Sequence, residues 1–229
     1  MKKRILKQIS AILAVAIIVT AVIFLIECVK LWRAYNDFNH PPAVEDENHF
    51  IGLAEYDSNE KEWPKNALFI EGKRREYKTG ELRLVIPRIH CDEFVVDGTK
   101  QTDLRTGPGL YECSQMPGEG NRNVSIAAHR SGYSHYANLF KKIHTLGEKD
   151  LLYLADGKVI YVYRYKETKI VEPTDLSVLY LQGFSALTLT SCHPLGQNKQ
   201  RIIVVSELQT IIPYEENFEF PKTEEDFKK

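Results

Sequence analysis

Three side chains of complementary chemistry sit where apolar, β-branched runs end or begin. Cys192 follows Ala186 to Ser191 and precedes His193-Pro194-Leu195-Gly196, a stretch that cannot continue a strand ladder. A thiolate is a strong nucleophile, and even an ordinary thiol is a few per cent ionised at neutral pH. His129 ends Val124-Ser125-Ile126-Ala127-Ala128, and a histidine is the commonest carrier of a proton to and from a leaving amine. Arg201 opens the run Arg201 to Leu208; attack on a carbonyl creates an oxyanion, which a fixed, permanently charged guanidinium can stabilise. Taken singly, each residue has a plain structural reading. A lone cysteine is usually an inert buried thiol. The chain has seven histidines, and strand-end arginines are commonly solvated. His193 adjoins Cys192, but successive side chains on extended backbone point to opposite faces, which ranks it below His129. His135 and His144 flank a stretch of helical spacing.

The elements that must hold these residues read as short strands. Leu82 to Ile86 is stopped by Pro87, and Glu93 to Val96 by Asp97-Gly98. Asp150 to Leu154 and Val159 to Tyr165 flank Ala155-Asp156-Gly157-Lys158, a hairpin signal, and Thr168 to Val171 extends the set. Tyr136, Leu139, Phe140 and Ile143 recur at helical spacing. Many short strands, regular turns and at most one short helix predict a mostly β sandwich or barrel.

The ordered motifs resemble those of one family. Thr188-Leu189-Thr190-Ser191-Cys192 resembles the T-L-x-T-C signature of sortases, and Cys192 to Arg201 is similar to their C-x-P-x-G-x-N-x-x-R loop. Ile126-Ala127-Ala128-His129-Arg130 resembles the segment carrying their histidine, and Ile86-Pro87, Gly107-Pro108-Gly109 and Val171 to Asp175 fall where comparable motifs lie. The resemblance covers roughly Gly80 to Leu208. It implies a closed β-barrel of the sortase type with short helices. It also implies a cysteine transpeptidase, cleaving an L-P-x-T-G-like C-terminal sorting signal through a Cys192 thioester and passing the protein to an amine. His129 would move the proton and Arg201 would hold the oxyanion, with Thr190, Ser191 and Ala128 contacting substrate, and no metal or cofactor. The partners implied are proteins bearing a sorting signal and an amine acceptor from a peptidoglycan precursor or a pilin. Ser191 and Ala128 stand where the family usually has Thr and Gly. The loop after the cysteine resembles enzymes of class C and of classes D and E. The lid motif and second anchor common in class C are not seen, which favours the surface-protein-anchoring type.

Composition sets the setting. The chain has 229 residues, 43% hydrophobic and 27% charged, with a net charge of −1, which argues against nucleic acid as a partner. Lys2, Lys3, Arg4 and Lys7 precede an uncharged apolar run from Gln8 to Ile26, near the 20 or so residues that span a bilayer. No small-x-small cleavage site follows it, so it reads as an uncleaved anchor rather than a signal peptide. The expected organisation is a cytoplasmic stub (1–7), a transmembrane anchor (8–26), a membrane-proximal stalk or helix (27–78), the catalytic domain (79–212) and an acidic C-terminal tail (213–229). That places the catalytic domain outside a single-pass cell-membrane anchor, and the resemblance to sortases implies a Gram-positive type of surface. Of four cysteines none forms a C-x-x-C pair; Cys91 and Cys113 read as buried thiols, although oxidising surroundings would permit a bridge. Papain-like peptidases place cysteine before histidine, and L,D-transpeptidases use an S-H-G-C arrangement; neither order occurs here. A tethered, non-enzymatic binding domain accounts for the anchor and strands but leaves the Cys, His and Arg motifs to chance.

Overall fold

The computed structural model describes residues 19–30, Arg74 and 76–228. Residues 19–30 form a helix whose apolar side chains, Phe24 and Leu25 among them, are exposed. No helix of the described residues is long and apolar enough to cross a membrane. Residues 8–18 of the expected anchor and most of the expected stalk lie outside the described residues. Chain contacts divide residues 1–44 from 45–229, and the second unit carries the rest of the description.

Its described residues form nine strands: β1 (Arg83–Ile86), β2 (Cys91–Phe94), β3 (Val96–Asp97), β4 (Gly109–Leu110), β5 (Asn123–Ala127), β6 (Leu151–Ala155), β7 (Val159–Val171), β8 (Ala186–His193) and β9 (Gln200–Pro213). Their order is β2-β1-β6-β7-β9-β8-β5-β4-β3. The two outermost strands, β2 and β3, are consecutive in the chain and separated by Val95 alone. Val95 N donates to Leu82 O at 2.8 Å, on the β1 side, and Val96 N donates to Pro108 O at 2.8 Å, on the β4 side. One extended stretch therefore serves both ends of the sheet and closes it into a barrel, which disposes of exposed edges.

The β6–β7 hairpin forms at the expected turn. Asp156 Oδ1 accepts from the N–H groups of Lys158 and Val159, each at 2.9 Å, and Gly157 takes the left-handed φ of 80° that the reversal needs. β7 then runs unbroken to Val171 against β9, with two register shifts that bend it around the barrel. The helical spacing at 136–143 is realised differently. The segment forms two 3-10 turns, Tyr136–Asn138 and Ile143–Thr145, that drop Leu139, Phe140 and Ile143 onto the barrel core. Phe140 N also donates to His129 O at 3.0 Å, tying this segment to the end of β5.

Alternation along the strands gives the barrel two faces. Inward go Val124, Ile126 and Ala128 from β5 and its extension, Leu187 and Leu189 from β8, and Ile202 and Val204 from β9. Outward go Ala127, Ala186, Ile203 and Val205, which Leu104, Val178 and Leu179 cover. The segment expected as an acidic tail is folded. Its Tyr214, Phe218, Phe220 and Phe227 cover Val85, Tyr153 and Val162 on the far outer wall, and Tyr153 Oη donates to Pro221 O at 2.6 Å. Cys91 and Cys113 are buried free thiols.

Candidate active site

Strand register brings the three chemical residues into one row. β5 and β8 run parallel, with Ala127 opposite Thr190, and Ala128 N donates to Thr190 O at 3.1 Å, carrying the register one step on. Extended two positions past Ala127, beyond the end of β5, the same register sets His129 level with Cys192. On its other flank β8 runs antiparallel to β9, with Cys192 directly opposite Arg201. By alternation His129, just past the end of β5, Cys192 on β8 and Arg201 on β9 thus fall on the outer face. β8 continues one residue past Cys192, so the cysteine is penultimate rather than terminal.

The loop from Pro194 to Lys199 closes the row at its open end. Gln197 N donates to Pro194 O at 2.9 Å, and Gly196 takes φ 77°, where the chain reverses without a side-chain clash. The reversal returns Asn198 over the strand ends. Its Oδ1 accepts from Arg201 Nη1 at 2.7 Å and from the Cys192 thiol at 3.2 Å. Arg201 is 1% exposed, and Nη1 also donates to Gln200 O at 3.0 Å.

Below the row, the segment 176–180 is clamped to the same face. Asn123 Nδ2 donates to Val178 O at 2.8 Å and Tyr180 O at 2.9 Å, Ser125 Oγ donates to Val178 O at 3.1 Å, and Thr188 Oγ1 donates to Asn123 Oδ1 at 2.7 Å. These bonds satisfy buried polar groups that would otherwise destabilise the sheet.

The expected substrate contacts are placed otherwise. Thr190 shares the outer face with Cys192 but is fully buried, beside Tyr111. Ser191 and Ala128 turn inward, and Ser191 Oγ donates to Ala128 O at 2.6 Å, joining β8 to β5 just below the row. Their side chains are therefore structural. Alternation along the strand gives the outer face to their neighbours.

A second group, absent from the sequence reading, backs the row from the inner face. Arg130 is 5% exposed. Its Nη1 donates to Cys192 O at 3.3 Å and to His193 Nδ1 at 3.1 Å, and its Nη2 to His144 Nδ1 at 3.0 Å. A guanidinium has only donors, so both Nδ1 atoms accept. His193, adjacent to the cysteine in sequence, is thereby committed to Arg130, in keeping with the opposite-face argument. Its place directly after His129 was the available sequence signal for Arg130; nothing in the sequence paired it with His144.

The electrostatics favour neutral partners at rest. Burial raises the Cys192 thiol above its ordinary value, while the Arg201 and Arg130 guanidinium groups pull it back toward the thiolate. Burial lowers His129 to about 4, assisted by the positive charge of Arg105. At neutral pH the imidazole is therefore uncharged and able to accept a proton, and the thiol carries one to give. The arrangement can perform nucleophilic acyl chemistry, with two guanidinium groups to support negative charge on sulfur and oxygen. Among the described residues no His, Cys, Asp and Glu cluster could hold a metal ion.

The sortase domain model matches residues 84–209, more than half of the chain, and the chain belongs to the sortase family. Sortase D of Bacillus subtilis is 31% identical over 131 residues, covering 56% of this chain and 63% of that protein. Sortase A of Listeria monocytogenes is 27% identical over 126 residues, covering 55% of each. The chain thus spans less than two thirds of the length of these relatives. Among solved structures, a Clostridium perfringens sortase D5 transpeptidase superposes with a TM-score of 0.52 at 26% identity, over 60% of this chain and 86% of that one.

Proposed function

We propose that this chain is a membrane-tethered transpeptidase that cleaves an L-P-x-T-G-like sorting signal and transfers the upstream protein to an amine of a cell-wall precursor or a pilin. The observation that carries this reading is the row of His129, Cys192 and Arg201 set by register across β5, β8 and β9. In the proposed cycle the Cys192 thiol gives its proton to His129, and the sulfur attacks the carbonyl carbon of the signal's threonine. Arg201 faces the oxyanion. Collapse breaks the C–N bond, the departing amine takes the proton from His129, and a thioester remains. An incoming amine then attacks the thioester, His129 removes its proton, and the thiol is restored as the new amide forms. The exposed apolar residues of helix 19–30 fit a chain anchored at its N-terminal end, and the basic residues Lys2, Lys3, Arg4 and Lys7 before the apolar run favour the barrel outside the cell. The naming of the Clostridium perfringens relative as a transpeptidase agrees with this chemistry.

The test incubates the full chain with quenched peptides of the L-P-x-T-G, L-A-x-T-G and N-P-x-T types and a glycine or diaminopimelate amine. A thioester adduct at Cys192 and an amine-dependent product, both absent from Cys192→Ala, are expected. Turnover retained in Cys192→Ala would remove the nucleophile from the scheme.

A further inference from the structure

The Asn198 side chain touches both the thiol and the guanidinium of the row. Arg201 Nη1 can only donate, so the atom 2.7 Å from it is the carboxamide oxygen and not the nitrogen. The same oxygen lies 3.2 Å from Cys192 Sγ, where it accepts the S–H. A carboxamide oxygen is not a base and cannot take that proton away. It stabilises sulfur while the proton is present and opposes the thiolate once it has gone, because two electron-rich atoms then face each other. Toward Arg201 its role is the reverse: it fixes one arm of a buried fork whose direction decides where an oxyanion would be met.

We infer that Asn198 is a positioning residue with two tasks: its Oδ1 aims the Arg201 guanidinium and holds the Cys192 thiol in its protonated resting form. The first task rests on the transpeptidase reading; the second concerns the thiol itself. The contact to sulfur must open as the thiolate forms, whereas the contact to Arg201 can persist. The Pro194 to Lys199 loop suits such a residue. Asn198 is exposed on its returning limb, so the carboxamide can leave the sulfur without disturbing the barrel. The raised thiol value at Cys192, with Arg201 opposing the effect of burial, agrees with a sulfur kept protonated at rest.

The two tasks predict changes of opposite sign, which a residue that only supports the loop would not produce. The experiment compares the full chain with Asn198→Ala and Asn198→Asp. It measures the pH dependence of Cys192 alkylation by iodoacetamide and the rate of acyl-enzyme formation with the best peptide, with melting temperature as a folding control. In Asn198→Ala the alkylation midpoint should fall by about half to one pH unit, the value of one lost hydrogen bond to the protonated form. Acyl-enzyme formation should slow about tenfold or more, because the fork is no longer aimed. In Asn198→Asp the midpoint should rise, since a carboxylate beside the sulfur disfavours the thiolate, and Arg201 stays held. An unmoved or raised midpoint in Asn198→Ala, or a lowered one in Asn198→Asp, overturns the hold on the thiol. Acyl-enzyme formation within twofold of wild type in Asn198→Ala overturns the aiming of Arg201. If the wild-type chain forms no acyl-enzyme with any peptide, the transpeptidase reading and the aiming task fall together. The alkylation arm still decides the thiol.

Discussion

Replacing His129 with asparagine should make the protein's stability less sensitive to acid. In the folded chain burial and the charge of Arg105 lower His129 from 6.5 to about 4. In the unfolded chain the imidazole returns to its ordinary value. Between pH 6.5 and 4 the unfolded chain therefore binds a proton that the folded chain refuses, and acid favours unfolding. The folded value is depressed, so the stability is complete above the unfolded value and declines as pH falls toward the folded one. A shift of this size amounts to about 3 kcal/mol across the window, as an upper figure. For a domain of this size roughly 2–4 °C of melting temperature accompanies each kcal/mol, so the expected contribution is roughly 6–12 °C. The carboxylates also titrate in this range, but they are common to both proteins, and the difference between wild type and variant isolates His129. The assay is thermal unfolding at pH 7, 6, 5 and 4. The wild-type curve should fall away from the His129→Asn curve as pH decreases. Parallel curves would mean that His129 is freely protonated in the fold, and the neutral resting pair drawn above would be wrong.

Two further expectations bear on the row and its support. Arg201→Lys should slow acyl-enzyme formation by roughly a hundredfold while leaving the fold intact, because an ammonium is a point charge and does not reproduce the fork; wild-type kinetics would demote Arg201 to a structural cation. Ser191→Val removes the hydroxyl that donates to Ala128 O at 2.6 Å inside the barrel. It should cost about 1–3 kcal/mol, read as a lower denaturation midpoint; an unchanged midpoint would show that the β5–β8 join does not need this bond.

The strands and the hairpin were legible because their signals are local. The β-branched runs ended at Pro87, Asp156-Gly157 and Pro194, and the structure turns at those places. The row itself was legible only as three residues at strand ends. That they meet depends on a parallel pairing of β5 with β8, strands separated by a hairpin and a long connection, and periodicity within each strand carries no record of that pairing. The same blindness explains Ser191 and Ala128. The family resemblance implied that they contact substrate, whereas alternation sends their side chains into the core. The folded 213–228 segment was hidden by its charge: acidic residues are interspersed there with Phe218, Phe220 and Phe227, and the aromatic face has meaning only once Tyr153 lies opposite. Arg130 was hidden most deeply, since both of its imidazole partners come from other segments.

The barrel's closure explains why so exposed a loop can serve so exact a site. Cys192 is fixed from three directions: β9 on its flank, Arg130 at its carbonyl from the inner face, and Asn198 at its sulfur. The first two are parts of the closed wall or lie against it, where moving one strand would break its ladders. The third comes from the loop and can let go. In the proposed cycle the nucleophile gains an acyl group, loses it and returns to rest, which needs a backbone that does not move and one contact at the sulfur that does. The division between wall and loop supplies both. It assigns the rigid contacts to the carbonyl end of Cys192 and the releasable one to the atom where bonds are made.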